Sequence, residues 1–280
     1  MMAIASLDAR RLRRSPGIWL ATVCAAGALV AGVALPWLLL SGVDANTGVA
    51  FMLGPGTDLV LPTVAILATY GAIAGQRDDA TLSTVLAQPY RRRDVLAGVA
   101  VARILTMVGV TTVAIAAAVA AVIVLYGVPP ILRLAAFAAV TVVAVGCYAA
   151  IGVAVSASVA SRARAAAALL PGFLIAYGLW SPVFHGIESV AFDRPPSWFE
   201  HVAMVNPLAA YGAAANELLP PTPHLAIAVD DGGVDATAGE LVGGGTDPMV
   251  VGLALCVLVA WSVVTLLIAR WRLDRATLAD

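Results

Sequence analysis

The sequence predicts an all-α integral membrane protein with six transmembrane helices, and three observations carry that reading. Of its 280 residues, 61% are apolar and 12% charged, about half the charge with which a soluble domain covers itself in water. Mean hydropathy is +0.94. The apolar residues gather in runs long enough to cross a hydrocarbon core of about 30 Å, which takes roughly 20 helical residues. The basic residues, 16 in number and all arginine, fall between those runs and sort to one side.

Residues 1–15 set Arg10, Arg11, Arg13 and Arg14 beside Met2, Ile4, Leu7 and Leu12. They read either as an interfacial helix lying on the bilayer or as a plain charged anchor. The first span, 18–40, is too long, and too polar at its start, for a removed signal peptide. An outer loop broken by Gly54, Pro55 and Gly56 comes next. Asp58 is placed to cap the second span, 59–74, with Pro62 in its first turn. That span is short for the bilayer, so either its helix extends toward Gln76 or the bilayer thins there.

Residues 77–103 are the long charged interruption. Gln88-Pro89 breaks helical structure there, because the residue before proline avoids the helical region. The expected product is a basic helical elbow, whose second half runs into span three at 104–126. Spans four, five and six lie at 134–158, 165–184 and 249–269. Leu170-Pro171-Gly172 predicts a kink in span five. The segment 186–248 reads as external. Two short helical stretches broken at Asn206-Pro207 are apolar enough to lie on the membrane surface, and a turn-rich acidic part reads as a mobile loop. The chain is expected to form one membrane domain, 1–280.

Only Arg133 and Arg194 fall on the side opposite the other arginines. The positive-inside bias then places both termini and the elbow in the cytoplasm of a multi-pass cell-membrane protein. Five or seven spans would break that sorting.

Several chemistries are disfavoured. The middles of the six spans carry no ionisable residue, which argues against a proton-coupled carrier. With no lysine the chain has no P-loop, so it is not expected to hydrolyse ATP, and that activity would fall to a separate subunit. Asp78-Asp79 lacks the further aspartates that a two-metal enzyme needs. Cys24, Cys147 and Cys256 stand singly, and His185, His201 and His224 lack close ligand spacing. No metal, cofactor, catalytic residue or nucleic-acid partner is expected; the bilayer itself is.

The stretch "AGQRDDATLSTVLAQPYRRRDVLAGVAVAR" resembles the signature of permease subunits in the type-two ATP-binding-cassette exporter family. Ala74, Gly75, Thr81, Leu82, Leu86, Pro89, Arg92 or Arg93, Leu96 and Gly98 stand in matching places. Gln76, Ala80 and Val99 replace the family's glutamate, glycine and lysine, and Asp78 or Asp79 is placed to substitute for the glutamate. "MVNPLAAY" is similar to the family's N-P-x-x-x-Y stretch before the last span. The pattern is most similar to the branch associated with multi-copper enzyme maturation (NosY-like).

The resemblance implies an exporter permease that pairs as a homodimer or heterodimer and is driven by a separate ATP-binding-cassette ATPase. That ATPase would dock on the elbow. Leu82, Val85 and Leu86 would bury apolar surface and Pro89 would shape the bend. Asp78, Asp79, Arg91, Arg92, Arg93 and Asp94 would pair charges. The alternatives are an elbow that is only a topological anchor, and a non-transporting membrane scaffold or assembly factor, for example for metalloenzyme maturation. Lipids, drugs or a hydrophobic conjugate all fit the apolar spans as cargo.

Overall fold

Hydrocarbon offers no partner to a backbone amide, so an apolar run that enters it must bond internally, and a helix is the local solution. The computed structural model describes residues 12, 14–39, 49, 56–78, 92–192, 196–219, 225–230, 233–238 and 247–275. Among them, six helical stretches are long and apolar enough to cross a bilayer: Pro16–Leu39, Thr57–Asp78, Arg93–Tyr126, Ile131–Ser158, Arg162–Ala191 and Pro248–Arg275. The predicted helical membrane fold is thus observed.

Helix α1 (Pro16–Leu39) opens on a proline, the residue whose missing N–H costs nothing in a first turn. Span two is composite. A π-helical turn, Gly56–Val60, leads into α2 (Leu61–Thr69), and after Tyr70–Ile73 the helix resumes as α3 (Ala74–Asp78). The whole stretch of 22 residues spans about 33 Å, so extension of the helix answers the shortfall. Asp58 does not cap α2 as expected. It sits inside the π-helical turn, and the N-cap position is Val60, with no side-chain bond.

Helix α4 (Arg92–Tyr126) has 35 residues, about 52 Å, well beyond a core of about 30 Å. Its surplus is the second half of the predicted elbow. Val95, Leu96 and Val99 on that surplus are buried against Ala72 and Ile73 of span two, Ala157 of α5 and Leu273 of α10. Gly127, at φ +95°, ends α4, a left-handed position that glycine takes without strain. The segment 79–91, with Asp79, Leu82, Val85, Leu86, Pro89 and Arg91, lies outside the described residues, as do residues 1–11.

Helix α5 (Ile131–Ser158) is the hub, packing on α2, α4, α9 and α10. Phe137, Ala144, Cys147 and Tyr148 are buried along it. Gly152 lets α2 come close, because a Cβ there would strike the Thr69 side chain. Helix α6 (Arg162–Gly178) begins at an N-cap serine, Ser161, whose side chain accepts from the Arg164 amide at 3.3 Å. Pro171, where a kink is expected, lies inside α6, with no break in the helix there. The helix runs on to Gly178, and after Leu179 α7 (Trp180–Ala191) takes over. At that point the Trp180 indole donates to the Ala203 carbonyl at 2.8 Å.

Helix α8 (Ser197–Ala203) and helix α9 (Pro207–Leu218) meet at Asn206-Pro207. The expectation that this pair lies on the membrane surface is corrected for α9. It packs against α5 and α10 and buries Ala210, Tyr211, Ala214, Ala215 and Leu218 in the main core. Its small residues allow close approach to α5. The expected loop after α9 contains an antiparallel hairpin, β1 (Leu225–Asp230) with β2 (Gly233–Ala238), in register from Leu225 opposite Ala238 to Asp230 opposite Gly233. The two strands are separated in sequence by Asp231-Gly232, a pair suited to a two-residue hairpin connection. Helix α10 (Pro248–Arg275) closes the chain. Helices α6, α7 and α10 lie at the edge of the bundle, with Leu174, Ile175, Val263 and Leu267 exposed, an apolar surface for lipid to solvate.

Candidate functional site

Two regions at opposite ends of the bundle gather polar side chains that bond between elements, among the described residues. The first is the root of the elbow, where span two ends. The interruption at Tyr70–Ile73 frees backbone groups that hydrocarbon cannot satisfy. The Ala72 amide bonds Thr69 instead of Ala68, so the Ala68 carbonyl is open. Arg103 of α4 fills it from Nη1 at 2.7 Å. The Ile73 and Ala74 amides both donate to Ser156 Oγ at 3.0 Å. A serine of one span thus caps a helix of another.

Beyond the cap, the arginines work on α5. Its last carbonyls lack helical partners, and Arg77 supplies them, Nη2 donating to Ala157 at 3.1 Å and Nη1 to Val159. Asp78 Oδ2 accepts from the Arg162 backbone amide at 3.0 Å, at the start of α6, where a helix N-terminus favours negative charge. The side chain of Arg162 lies across Gly75 and Gly71. A Cβ on Gly75 would come within 2.6 Å of Arg162 Nη2 and 2.8 Å of Cζ, and one on Gly71 within 3.4 Å of Nε. The glycine of the A-G pair at 74–75 is therefore a bed for a guanidinium.

Of the residues expected to dock a partner, Asp78 sits in this joint, at the end of α3. Arg92 opens α4, Arg93 is exposed and Asp94 is half-buried in the first turn, a favourable place for an acid. Asp79, Leu82, Val85, Leu86, Pro89 and Arg91 lie outside the described residues. Sequence reasoning missed Ser156, Arg103 and Arg162 as parts of the joint. They lay among the sorted arginines and helix serines, and no local spacing ties residue 78 to residue 162.

The second region is at the other end. Asn206 is buried, its Oδ1 accepting from the Leu208 amide at 2.9 Å and its Nδ2 donating to Ala176 of α6 at 2.8 Å. It caps α9 and ties it to span five at once. The Pro207 carbonyl accepts from Tyr148 at 3.3 Å, and Tyr211 meets Thr141 at 3.2 Å. Burial pushes the Tyr211 phenol up, so it stays neutral. Trp180 and Trp261 each donate to the backbone of the α8–α9 corner, at Ala203 and Val205, both at 2.8 Å. The asparagine, proline and tyrosine of the N-P-x-x-x-Y stretch all have structural partners.

Beside this corner lies a cavity of about 650 Å³. Tyr211 and Asn206 line it from buried positions and Asp58 from a partly exposed one, and Trp180, Phe184 and Phe199 supply aromatic rings. Trp180 and Phe184 are 4.8 Å apart between centroids, and Phe184 and Phe199 5.5 Å. Thr57 hydrogen-bonds the Asp58 carboxyl group. Its Oδ1 is buried with no hydrogen-bond partner among the described residues. Asp58 could have been noticed in sequence only as an acid at a span boundary, where a cap is the simpler reading.

No curated protein matches the chain. A family model described as "ABC-2 family transporter protein" matches residues 2–278. With that match running over nearly the whole chain, on a bundle of six membrane-spanning helices, the protein belongs to the ABC-2 transporter family and is a membrane permease component of an ATP-binding-cassette transporter.

Proposed function

We propose that this permease is the exporting half of a dimeric transporter and is powered by a separate ATPase that docks from the cytoplasm on segment 77–103. The arginine sorting supports the orientation, with both termini inside. The motif from Ala74 to Gly98 supports the ATPase partner and the NosY-like branch. One observation carries the coupling: Arg77 and Asp78, at the start of the elbow, are bonded to Ala157, Val159 and Arg162 at the turn between spans four and five. The other end of the elbow continues rigidly into α4. A push of a few ångströms on the elbow would then move spans two to five together, and tilting of packed helices about a joint is a recognised way to alternate access.

The test is a double variant, Leu86→Asp with Arg92→Asp. Unpaired or like charge in a partly buried interface costs about 2–5 kcal/mol, so ATPase copurification with the permease is expected to drop several-fold or more. The helical content of the permease should be unchanged. Normal binding and transport by the double variant would reduce segment 77–103 to a topological anchor.

A further inference from the structure

We infer that the cavity beside Asp58 binds an organic cation with an apolar body. The acidic and basic side chains that line it are Asp58, Glu188 and His185, and the last lies 3.4 Å from Glu188 Oε2. Among the described residues no arginine lines it, although the chain has 16. A carboxyl group that lines a largely apolar cavity, with no arginine beside it, favours a positive ligand over a negative one. An anion would meet the Asp58 and Glu188 carboxyl groups with no arginine among the described residues to offset them.

The walls decide between an inorganic and an organic cation. A metal ion asks for several oxygen, nitrogen or sulfur ligands at fixed distances. Among the described residues no group of three His, Cys, Asp or Glu side chains could supply them. Trp180, Phe184 and Phe199 instead offer the faces and edges of three neighbouring rings, and ring faces attract cations that shed water easily. The volume, about 650 Å³, is that of a site for a drug-sized molecule. The cavity is at the end of the bundle away from the elbow. Binding there stands without the export reading, which bears only on whether a bound cation is then carried across.

The probes are two ions of one shape and opposite charge, tetraphenylphosphonium and tetraphenylborate, titrated into the full-length chain in lipid nanodiscs, with empty nanodiscs subtracted. Neither ATPase nor nucleotide is present, so failure of the docking proposal leaves this result readable. The cation is expected to saturate, to quench tryptophan fluorescence and to bind about tenfold or more tighter than the anion. Asp58→Asn should cut cation affinity by about tenfold, because it removes the carboxylate whose charge attracts the phosphonium ion. Trp180→Leu should cut it several-fold. Equal binding of the two ions by the unmodified chain overturns the inference, and that comparison needs no variant to fold. So does an Asp58→Asn chain that melts normally and keeps its affinity.

Discussion

At the elbow root, half-buried cations are matched with backbone carbonyls that helix ends and breaks leave open: Arg77 with Ala157 and Val159, Arg103 with Ala68. Ser156 does the same for two amides. At the opposite end the scaffold is equally well tied at Asn206, Tyr211 and the two tryptophans, but Asp58 is left over, with Oδ1 unpartnered among the described residues and a cavity beside it. The difference separates two uses of polarity in a membrane protein. Where every polar group answers a specific backbone vacancy, the arrangement is a joint, and its worth is mechanical. Where a carboxyl group is bonded only by a neighbouring threonine and lines a cavity, as Asp58 does, the arrangement leaves room for a ligand.

The sharpest way to break this contrast is at Ser156. Ser156→Ala leaves the Ile73 and Ala74 amides without their acceptor, and an unsatisfied buried donor costs about 1–3 kcal/mol. With two donors the expected loss is about 2 kcal/mol or more, read as a lower melting temperature in detergent and faster amide exchange at residues 73 and 74. Unchanged melting and exchange would mean that the Tyr70–Ile73 interruption is satisfied some other way and that the joint is not one.

A smaller effect is expected at Gly75. The obstacle to a Cβ there is the far end of a flexible side chain, so Arg162 swings aside and its contacts are lost. Gly75→Ala should cost about 1 kcal/mol, the ordinary net worth of a hydrogen bond. In an Arg162→Ala background the same change should cost nothing further, because residues in contact are the ones whose effects fail to add. Additive losses in that cycle would dissolve the proposed bed.

The smallest stability change, and one of opposite sign, belongs to Asp58. Removing a polar group from the elbow root weakens the fold, whereas Asp58→Asn keeps the shape of a side chain whose Oδ1 has no partner among the described residues. Its melting temperature should stay level or rise, by no more than about 1 kcal/mol in stability. A large loss would reveal Asp58 as a structural carboxylate and erase the distinction between the two ends.

The chain's own sequence was enough to determine six spans, their order and the long helix that carries the elbow into span three. Length and hydropathy belong to each segment separately, and a bilayer imposes one thickness on all of them. The break between the two helices before α10 was legible for the same reason, since Asn206-Pro207 acts on its own backbone. Position within the bundle was not legible. Helix α9 is apolar enough for a membrane surface, yet Ala210, Ala214 and Ala215 pack into the core, and amphipathic pattern alone does not say which apolar solvent a face meets. Pro171 marks its kink from its own position, whereas the one-residue interruption of span five at Leu179, beside the bond from Trp180 to Ala203, carried no sequence signal. Asp58 looked like a helix cap because a cap needs only its neighbours in sequence. Its place beside Tyr211 on the cavity wall, like the bonds from Arg77 and Asp78 to residues some 80 positions away, depends on pairs of distant segments. Only the packed bundle brings such pairs together, because the energy of a partner is a property of two positions and the hydropathy of a residue is a property of one.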